Sequence, residues 1–217
     1  TGTASALVPK AGTCLCHSPL HASIAFSRLD NIPLDRYLFF HRQHDTHDTL
    51  GDTVTHSFDP RDLRQAFGRF ATGVTVITAA LPGGRRFGVT ANSFTSVSLS
   101  PPLVSWNYRL AALGLPTFLQ AQHFAIHVLA ESQMFLAQRF ASEVVDRFEG
   151  VPIKTGLGDV PLIQGCNAVF QCSQWSTVEA GDHMIILGEV LRYDHRDATP
   201  LLFHSGGYVQ CSRAEVA

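Results

Sequence analysis

The sequence predicts a mainly β protein, an antiparallel β-barrel with helical additions. Several short segments rich in β-branched or alternating apolar residues are separated by Gly and Pro turns, which is typical of antiparallel strands. Only a few segments have helical periodicity, and they interrupt the strands instead of alternating with them. No Gly-x-Gly-x-x-Gly follows any predicted strand, so a doubly wound parallel sheet with a Rossmann dinucleotide site is not supported.

The barrel domain begins with a helix whose N-terminus is well marked. Asp59 can cap it, and Pro60 suits the first helical position. Phe58 and Leu63 have the spacing of a hydrophobic staple. Apolar side chains then recur at helical spacing, so we expect this face to be buried. These side chains are Leu63, Ala66, Phe67 and Phe70, and Gly73 ends the pattern.

A β-hairpin follows the first helix. The β-branched run at 74–80 predicts a strand, the Pro-Gly-Gly at 82–84 a turn, and 85–93 the returning strand. Ser132 is the expected cap of a helix that runs to about Phe140. The other predicted elements are strands at 103–108, 124–129, 168–178, 184–193 and 200–210 and a short helix around 115–121.

Composition excludes several classes of function. The chain has 217 residues, is 45 % hydrophobic and 16 % charged, and has a formal net charge of −2 without any Lys/Arg cluster. It can bury a core, and neither nucleic acid nor an anionic membrane is an expected partner. No apolar run is long enough to span a bilayer, and no basic segment followed by an apolar run resembles a secretory signal. Five unevenly spaced cysteines do not resemble a disulfide framework, so we expect a reducing, cytoplasmic location.

Residues 1–57 differ from the rest, and we interpret them as an N-terminal extension preceding a domain at 58–217. They contain six of the eleven histidines and two of the five cysteines. His41, His44 and His47 recur at a spacing of three, and the Cys14-Leu15-Cys16-His17 stretch is rich in metal-ligand types. A solvent-facing polar arm is favoured over a metal site, because no second pair completes a known spacing. The start at Thr1, without Met, is consistent with removal of an upstream piece.

An uncharged polar ribbon is the main candidate site. Seven of the eleven residues from Thr90 to Ser100 are Thr, Ser or Asn, and two prolines end the stretch. Alternation predicts Thr95, Val97 and Leu99 on a core-facing side and the serines on the other. Small hydroxyl and amide groups suit the edge of a flat heteroaromatic ring. From the residues alone, an exposed sheet face explains the ribbon equally well.

Six segments, in order, resemble the flavin reductase family with the FMN-binding split-barrel fold. They are GRFATGVTVITA (68–79), GVTANSFTSVSLSPPLV (88–104), FAIHVLA (124–130), QRFAS (138–142), DRFEGV (146–151) and GDHMIILGEV (181–190). Each motif is weakly specific alone, but six in the right order are highly specific. The resemblance covers about residues 58–210. The resemblance implies the split antiparallel barrel fold. It also implies that the chain is the small reductase component of a two-component flavin monooxygenase.

The resemblance also implies cofactors, partners and site residues. It implies FMN or FAD as cofactor, NADH or NADPH as hydride donor, a homodimer with each flavin near the subunit interface, and a partner flavin-dependent monooxygenase. It identifies His183, in the Gly-Asp-His motif, as the residue beside the nicotinamide and flavin. The expected cofactor-binding residues are Thr90, Ala91, Asn92, Ser93, Ser96, Val97, Ser98, Asn107, Arg109, Ala111 and Phe140. Without the resemblance, His183 is better explained as a turn residue bonded to Asp182.

Two segments depart from the family pattern. Leu110, Ala111 and Ala112 stand where relatives have hydroxyls for the flavin phosphate, and 204–208 reads HSGGY where arginines are often found. Arg109 offers a compensating charge-assisted contact. Three functions therefore stay open: a reductase that releases reduced flavin, a flavoprotein that keeps its flavin and acts on an organic substrate, and a non-catalytic module for flavin or heme. No catalytic acid or nucleophile is needed for the first, because the cofactor supplies the chemistry.

Overall fold

The structure, a computed structural model, describes residues 58–211. Its main element is a seven-stranded antiparallel sheet in the order β3-β2-β6-β9-β10-β5-β4. These strands are β2 (Thr75–Leu81), β3 (Arg85–Ala91), β4 (Thr95–Leu99), β5 (Pro102–Arg109), β6 (His123–Val128), β9 (Ala168–Ala180) and β10 (His183–His195). The remaining strands are β1 (Thr72–Gly73), β7 (Ile153–Thr155), β8 (Pro161–Ile163), β11 (Leu202–His204) and β12 (Gly207–Val209). Three α-helices accompany them: α1 (Pro60–Phe67), α2 (Leu115–Gln120) and α3 (Met134–Ala141).

The seven-stranded sheet curls around one apolar core, as a barrel does. Ile77 of β2, near one sheet edge, and Trp106 of β5, near the other, belong to the same buried cluster. Phe118 of α2 packs edge-on against Trp106, with ring centroids 4.8 Å apart, and contributes the helix to this core. β3 and β4 are not hydrogen-bonded to each other, so the barrel stays open between them. The prediction of an antiparallel barrel with helical additions is confirmed.

A second core lies on the other face of β2. Val76 of β2 packs there with Leu136, Ala137 and Phe140 of α3. Because β2 is buried on both faces, its sequence is continuously apolar or β-branched instead of alternating. Two small sheets border this region: β7 pairs with β8, and β1, β11 and β12 form the other. The strand predicted at 200–210 is therefore two short strands joined by a turn.

Buried His127 links these layers. Its side chain on β6 is fully buried, Nδ1 lies 2.9 Å from the Val76 carbonyl oxygen, and the Ile163 backbone N–H donates to Nε2 at 3.1 Å. Since Nε2 accepts a hydrogen bond, Nδ1 carries the proton and donates it to Val76. Desolvation lowers the pKa of His127 to about 4, against the smaller raising effect of its bond to Val76. The imidazole is a neutral structural bridge.

Two helix predictions are wrong in part. α1 is capped by Asp59, whose side chain accepts from the Arg61 backbone N–H at 2.8 Å, as expected. Its apolar face is not buried, however: it has no buried residue, and Phe67 is 71 % exposed. The periodicity correctly indicated an apolar face, but it does not show whether another element covers that face. Ser132 does not cap α3, because a 3-10 turn at Glu131–Gln133 comes first and α3 begins at Met134.

The predicted core face of β4 is also wrong. Val97 is 50 % exposed and Leu99 is 95 % exposed, and Thr95 is exposed as well. β4 is an edge strand, and its pairing with β5 shifts register between Ser96 and Ser98. Such an irregularity breaks strict alternation, so counting in twos no longer tells which side chains face inward.

Candidate functional site

The polar ribbon joins the two edge strands of the barrel. It leaves β3 at Ala91, which lies opposite Thr75 in the hairpin, and the Thr75 hydroxyl donates to the Ala91 carbonyl at 2.6 Å. Asn92 and Ser93 then lead into β4. The ribbon thus crosses the gap at which the barrel is split.

Ser93 fixes the ribbon to β5. The Asn107 backbone N–H donates to Ser93 Oγ at 2.9 Å, and the Ser93 hydroxyl donates to the Asn107 carbonyl oxygen at 3.3 Å. The pairing of β4 with β5 ends at Thr95 opposite Ser105, so β4 does not reach the backbone N–H and carbonyl of Asn107. The Ser93 hydroxyl takes the place of a missing strand partner.

The ribbon's polar groups divide into engaged and exposed ones. The Thr90 hydroxyl donates to the Ala137 carbonyl of α3 at 2.7 Å, and Ser98 Oγ accepts from the Ser100 backbone N–H at 3.2 Å. These two groups maintain the local fold. The exposed residues of the ribbon are Asn92, Thr95, Ser96, Val97, Leu99 and Ser100, while Ala91 is half-buried. The hydrogen-bonded groups shape the surface of the ribbon, and the exposed groups are available to a ligand.

Strand register brings His183 to the same edge. His183 is the Cα partner of Arg109 in the β5–β10 pair, and the Leu110 backbone N–H donates to the Asp182 carbonyl at 3.0 Å. The segment from Asn107 to exposed Ala111 therefore lies against the Gly-Asp-His turn. Ser93, Asn107, Arg109 and His183, which are far apart in sequence, are joined through β5.

Asp182 orients the His183 ring. Its carboxylate Oδ1 lies 2.7 Å from His183 Nδ1, and both side chains are accessible to solvent. The hydrogen bond from His183, followed by its charge, lowers the pKa of Asp182. A carboxylate accepts, so Nδ1 carries a proton and Nε2 is left for a ligand. The turn-residue interpretation and the functional one are thus compatible.

Phe140 lies beneath the site, within the protein. Its side chain is fully buried, and its ring packs edge-on against Phe148, with centroids 5.0 Å apart. A Cβ on Gly88 would lie 2.5 Å from Phe140 Cε1, so only glycine allows β3 to approach this ring. In this chain Phe140 supports β3 and the ribbon that follows it, and direct cofactor contact stays a prediction.

Arg147 is a supporting residue that the sequence reasoning missed. Its guanidinium donates to the Gly88 carbonyl at 2.9 Å and, through Nε, to the Ser142 carbonyl at 2.9 Å. It also lies over the Phe87 ring, 5.9 Å from the centroid. It ties the segment after α3 to β3. The signal was an arginine between Asp146 and Phe148 in the DRFEGV motif at 146–151.

The site residues are compatible with a flavin. Between Thr90 and Ser100 no side chain is charged, and the exposed groups are amides, hydroxyls and apolar carbons. A heteroaromatic ring with polar edges and apolar faces needs these groups, with small side chains that allow close approach. Asn92 and Asn107 offer exposed amides, and Arg109 an exposed cation nearby.

The described residues offer no metal centre: within 58–211 no group of three or more His, Cys, Asp or Glu is arranged to hold an ion. Cys166 and Cys172 are free and buried, and desolvation raises their pKa values to about 11 and about 12, so neither is a ready thiolate. The histidines and cysteines considered in residues 1–57 lie outside the described part. Among the helices at 58–211, none is long and apolar enough to cross a membrane.

Comparison with known proteins gives one consistent result. Residues 67–212 match the family model described as a flavin reductase like domain. Over 153 residues the chain is 46 % identical to the FMN reductase (NADH) SmoA of Agrobacterium fabrum, covering 70 % of this chain and 87 % of that protein. It is 40 % identical over 148 residues to the reductase component of a flavin-dependent trigonelline monooxygenase of Acinetobacter baylyi, covering 68 % of this chain.

Coverage of the relatives varies. The chain spans about half of two of them: 48 % of the Acinetobacter protein and 49 % of a probable flavin reductase of Rhizobium meliloti, to which it is 44 % identical over 70 % of its own length. Among solved structures, the NADH:FAD oxidoreductase SgcE6 of Streptomyces globisporus, in complex with NAD and FAD fragments, is 38 % identical with a TM-score of 0.68. That match covers 72 % of this chain and 96 % of SgcE6.

The matched region contains the whole seven-stranded sheet, the polar ribbon and the Gly-Asp-His turn. Its sequence, its strand order and its solved relatives agree with the resemblance found from the six motifs. The expected family and split-barrel fold are confirmed, and the chain belongs to the flavin reductase-like family.

Proposed function

We propose that this chain is an NAD(P)H-dependent flavin reductase that supplies reduced flavin to a partner monooxygenase. The ring of a flavin bound at the ribbon would accept the hydride. The protein would hold this ring and the nicotinamide of NAD(P)H in contact. Relatives named as an NADH-dependent FMN reductase and as the reductase component of a monooxygenase support this assignment.

One observation carries the proposal: β5 joins the three sequence-distant parts of the site. Ser93 bonds to Asn107 on one side of the strand, and His183 pairs with Arg109 near its end. The exposed amides of Asn92 and Asn107 bind the polar edge of the ring in this proposal, while Arg109 attracts the phosphate. Hydride transfer between cofactors requires no acid–base catalyst, so the Asp182–His183 pair is assigned to orienting the donor and not to proton transfer.

His183 has the role of orienting the nicotinamide. Its Nδ1 is held by Asp182 at 2.7 Å, so the ring direction is set and Nε2 can hydrogen-bond to a bound donor. Such a contact acts mainly in the reactive arrangement of the two rings. We therefore assign His183 to the donor step, and the flavin-binding role to the ribbon.

We further propose that the protein is a homodimer and works in a reducing cytoplasm. Several large apolar side chains are exposed on the described surface: Phe67, Phe70, Leu99, Leu113 and Val145. The resemblance to flavin reductases implies the dimer, and these exposed side chains are the candidates for its apolar contact surface. The buried free thiols of Cys166 and Cys172 suit a reducing compartment. A monomer mass at micromolar concentration, with flavin reduction intact, would contradict the dimer.

The deciding experiment mixes the purified protein with NADH or NADPH and free FMN, FAD or riboflavin. We expect rapid NAD(P)H oxidation that depends on added flavin, with oxygen excluded to trap the reduced product. A control with His183→Ala keeps the ribbon intact and should slow the donor step. Tightly copurifying flavin that NAD(P)H does not reduce would refute the proposal and favour a flavoprotein or a binding module.

A further inference from the structure

A cleft lined by arginines lies outside the site described above. It forms where α1 meets the turn between β11 and β12, and its volume is about 600 Å³. Three cations and a small-residue turn dominate its wall: Arg61, Arg64, Arg69, Gly68, Ser205 and Gly206. A volume of this size, within the roughly 300–1,000 Å³ of small-molecule sites, can take a small phosphorylated group.

The wall of the cleft is held by the backbone. The Ser205 N–H donates to the Gly68 carbonyl at 2.8 Å, and a Cβ on Gly68 would lie only 3.5 Å from the Ser205 Cα. Ser205 and Gly206 both have positive φ, 49° and 84°, so the two residues make a tight hairpin turn. The end of α1 is thus fixed against the turn, and the arginines project from a defined frame.

The arginines of the cleft have no ion-pair partner within the described part of the chain. Among residues 58–211, none of the guanidinium groups of Arg61, Arg64 and Arg69 forms an ion pair or a hydrogen bond. Arg61 and Arg64 are three residues apart on one helix face, where like charges repel each other. These three cations outnumber the two carboxylates of the same segment, Asp59 and Asp62, so the segment has a net positive charge that a small dense anion would neutralise.

The short chain between Arg69 and Thr75 keeps the cleft within a limited distance of the polar ribbon. Thr75, the first residue of β2, lies opposite Ala91, where the ribbon begins. Arg69 precedes Thr75 by six residues, so their Cα atoms are at most about 20 Å apart along the chain. A dinucleotide with its ring at the ribbon can extend toward the cleft.

We propose that this cleft binds the pyrophosphate of a dinucleotide, either FAD or NAD(P)H. The inference rests on the proposed reductase function, which supplies the dinucleotide. Planar guanidinium groups match phosphate oxygens in pairs. Three cations without a wider basic surface suit a small anion and not a polynucleotide.

The test compares two double variants of equal charge change. Arg61→Gln/Arg64→Gln removes two cations from the cleft. Arg85→Gln/Arg86→Gln removes two exposed arginines at the opposite end of the β2–β3 hairpin, where Arg85 pairs with Leu81. Titration calorimetry with inorganic pyrophosphate at low ionic strength measures the cleft directly. Arg69→Gln serves as a second cleft variant, and thermal unfolding verifies that each protein is folded.

We expect the cleft variant to bind pyrophosphate about tenfold more weakly or worse, since charge-assisted contacts are lost, and the control variant to bind as wild type does. Dissociation constants for FAD and FMN and the KM for NADH then show whether the bound pyrophosphate belongs to the flavin or to the hydride donor. Weaker FAD binding with unchanged FMN binding assigns the cleft to the flavin, and a raised KM for NADH assigns it to the donor.

Equal pyrophosphate binding by the cleft and control variants would overturn the inference, as would an absence of pyrophosphate binding by wild type. Unchanged constants for both dinucleotides in the cleft variant would overturn it too. Flavin reduction is scored separately. A protein that reduces flavin but fails these tests retains the proposed function and loses the cleft assignment. A protein that binds pyrophosphate through these arginines but reduces no flavin retains the anion site and loses the reductase function.

Discussion

The bond between Ser93 and Asn107 gives the sharpest test of the site, because it separates support from ligand contact. Ser93→Ala removes the hydroxyl that accepts from the Asn107 N–H at 2.9 Å and donates to its carbonyl at 3.3 Å. Asn92→Ala, at the adjacent position, removes an exposed amide for which the described residues show no hydrogen bond. Both substitutions remove one polar group from the ribbon, so they are matched controls for each other.

The expected magnitudes differ. Asn107 is exposed, so water can replace part of what Ser93 supplies, and of the two contacts only the shorter is a strong hydrogen bond. We expect Ser93→Ala to lower the free energy of unfolding by about 1 kcal/mol, a fall in Tm of about 3 °C for a domain of this size. Asn92→Ala should change stability by less than about 0.5 kcal/mol. Asn92→Ala removes a ligand contact, and Ser93→Ala disturbs the geometry of the ribbon. We therefore expect the flavin affinity of each variant to fall about tenfold.

Thermal unfolding and flavin fluorescence quenching measure these two quantities on the same preparations. A Ser93→Ala protein as stable as wild type would refute the role of its hydroxyl as a substitute strand partner. An Asn92→Ala protein with wild-type flavin affinity would refute the ribbon as the ring-binding edge. Equal stability losses in both variants, with flavin affinity unchanged, would mean that the ribbon has a purely structural role.

Three further predictions concern other parts of the molecule. His183→Ala should lower kcat/KM for NAD(P)H by about ten- to a hundredfold, or about 1.4–2.8 kcal/mol, in stopped-flow reduction; an equal rate would return it to a simple turn residue. Because the folded-state pKa of His127, about 4, lies below the ordinary 6.5, the unfolded chain takes up the proton first. The contribution of neutral His127 to the free energy of unfolding should be fully present above pH 6.5 and should fall by about 3 kcal/mol as the pH approaches 4. A His127→Gln protein, measured by urea unfolding, should lack this pH-dependent contribution. Gly88→Ala should cost about 1–3 kcal/mol by overpacking, since the new Cβ would lie 2.5 Å from Phe140 Cε1; an unchanged Tm would show that the ring moves aside freely.

Local signals in the sequence were sufficient to predict the local elements and the family. The β-branched run at 74–80 and the Pro-Gly-Gly turn predicted the β2–β3 hairpin, which the structure has at Thr75–Leu81 and Arg85–Ala91. Asp59 and Pro60 marked the start of α1. Such signals act within a few residues of the chain, so they are legible without tertiary structure. Six ordered motifs were enough to identify the flavin reductase-like fold.

Which side chains are buried, and which come into contact, could be read only from the folded arrangement of the strands and helices. Val97 and Leu99 are exposed because β4 is an edge strand with a shifted register, and that depends on its pairing with β5. Phe67 is exposed because no described element covers its side of α1. The meeting of Ser93, Asn107 and His183, and the closing of the arginine cleft by Gly68 against Ser205, both depend on contacts between residues distant in sequence. Periodicity predicts that a face is apolar or polar, but the partner of that face is chosen by the pairing of strands across the whole barrel.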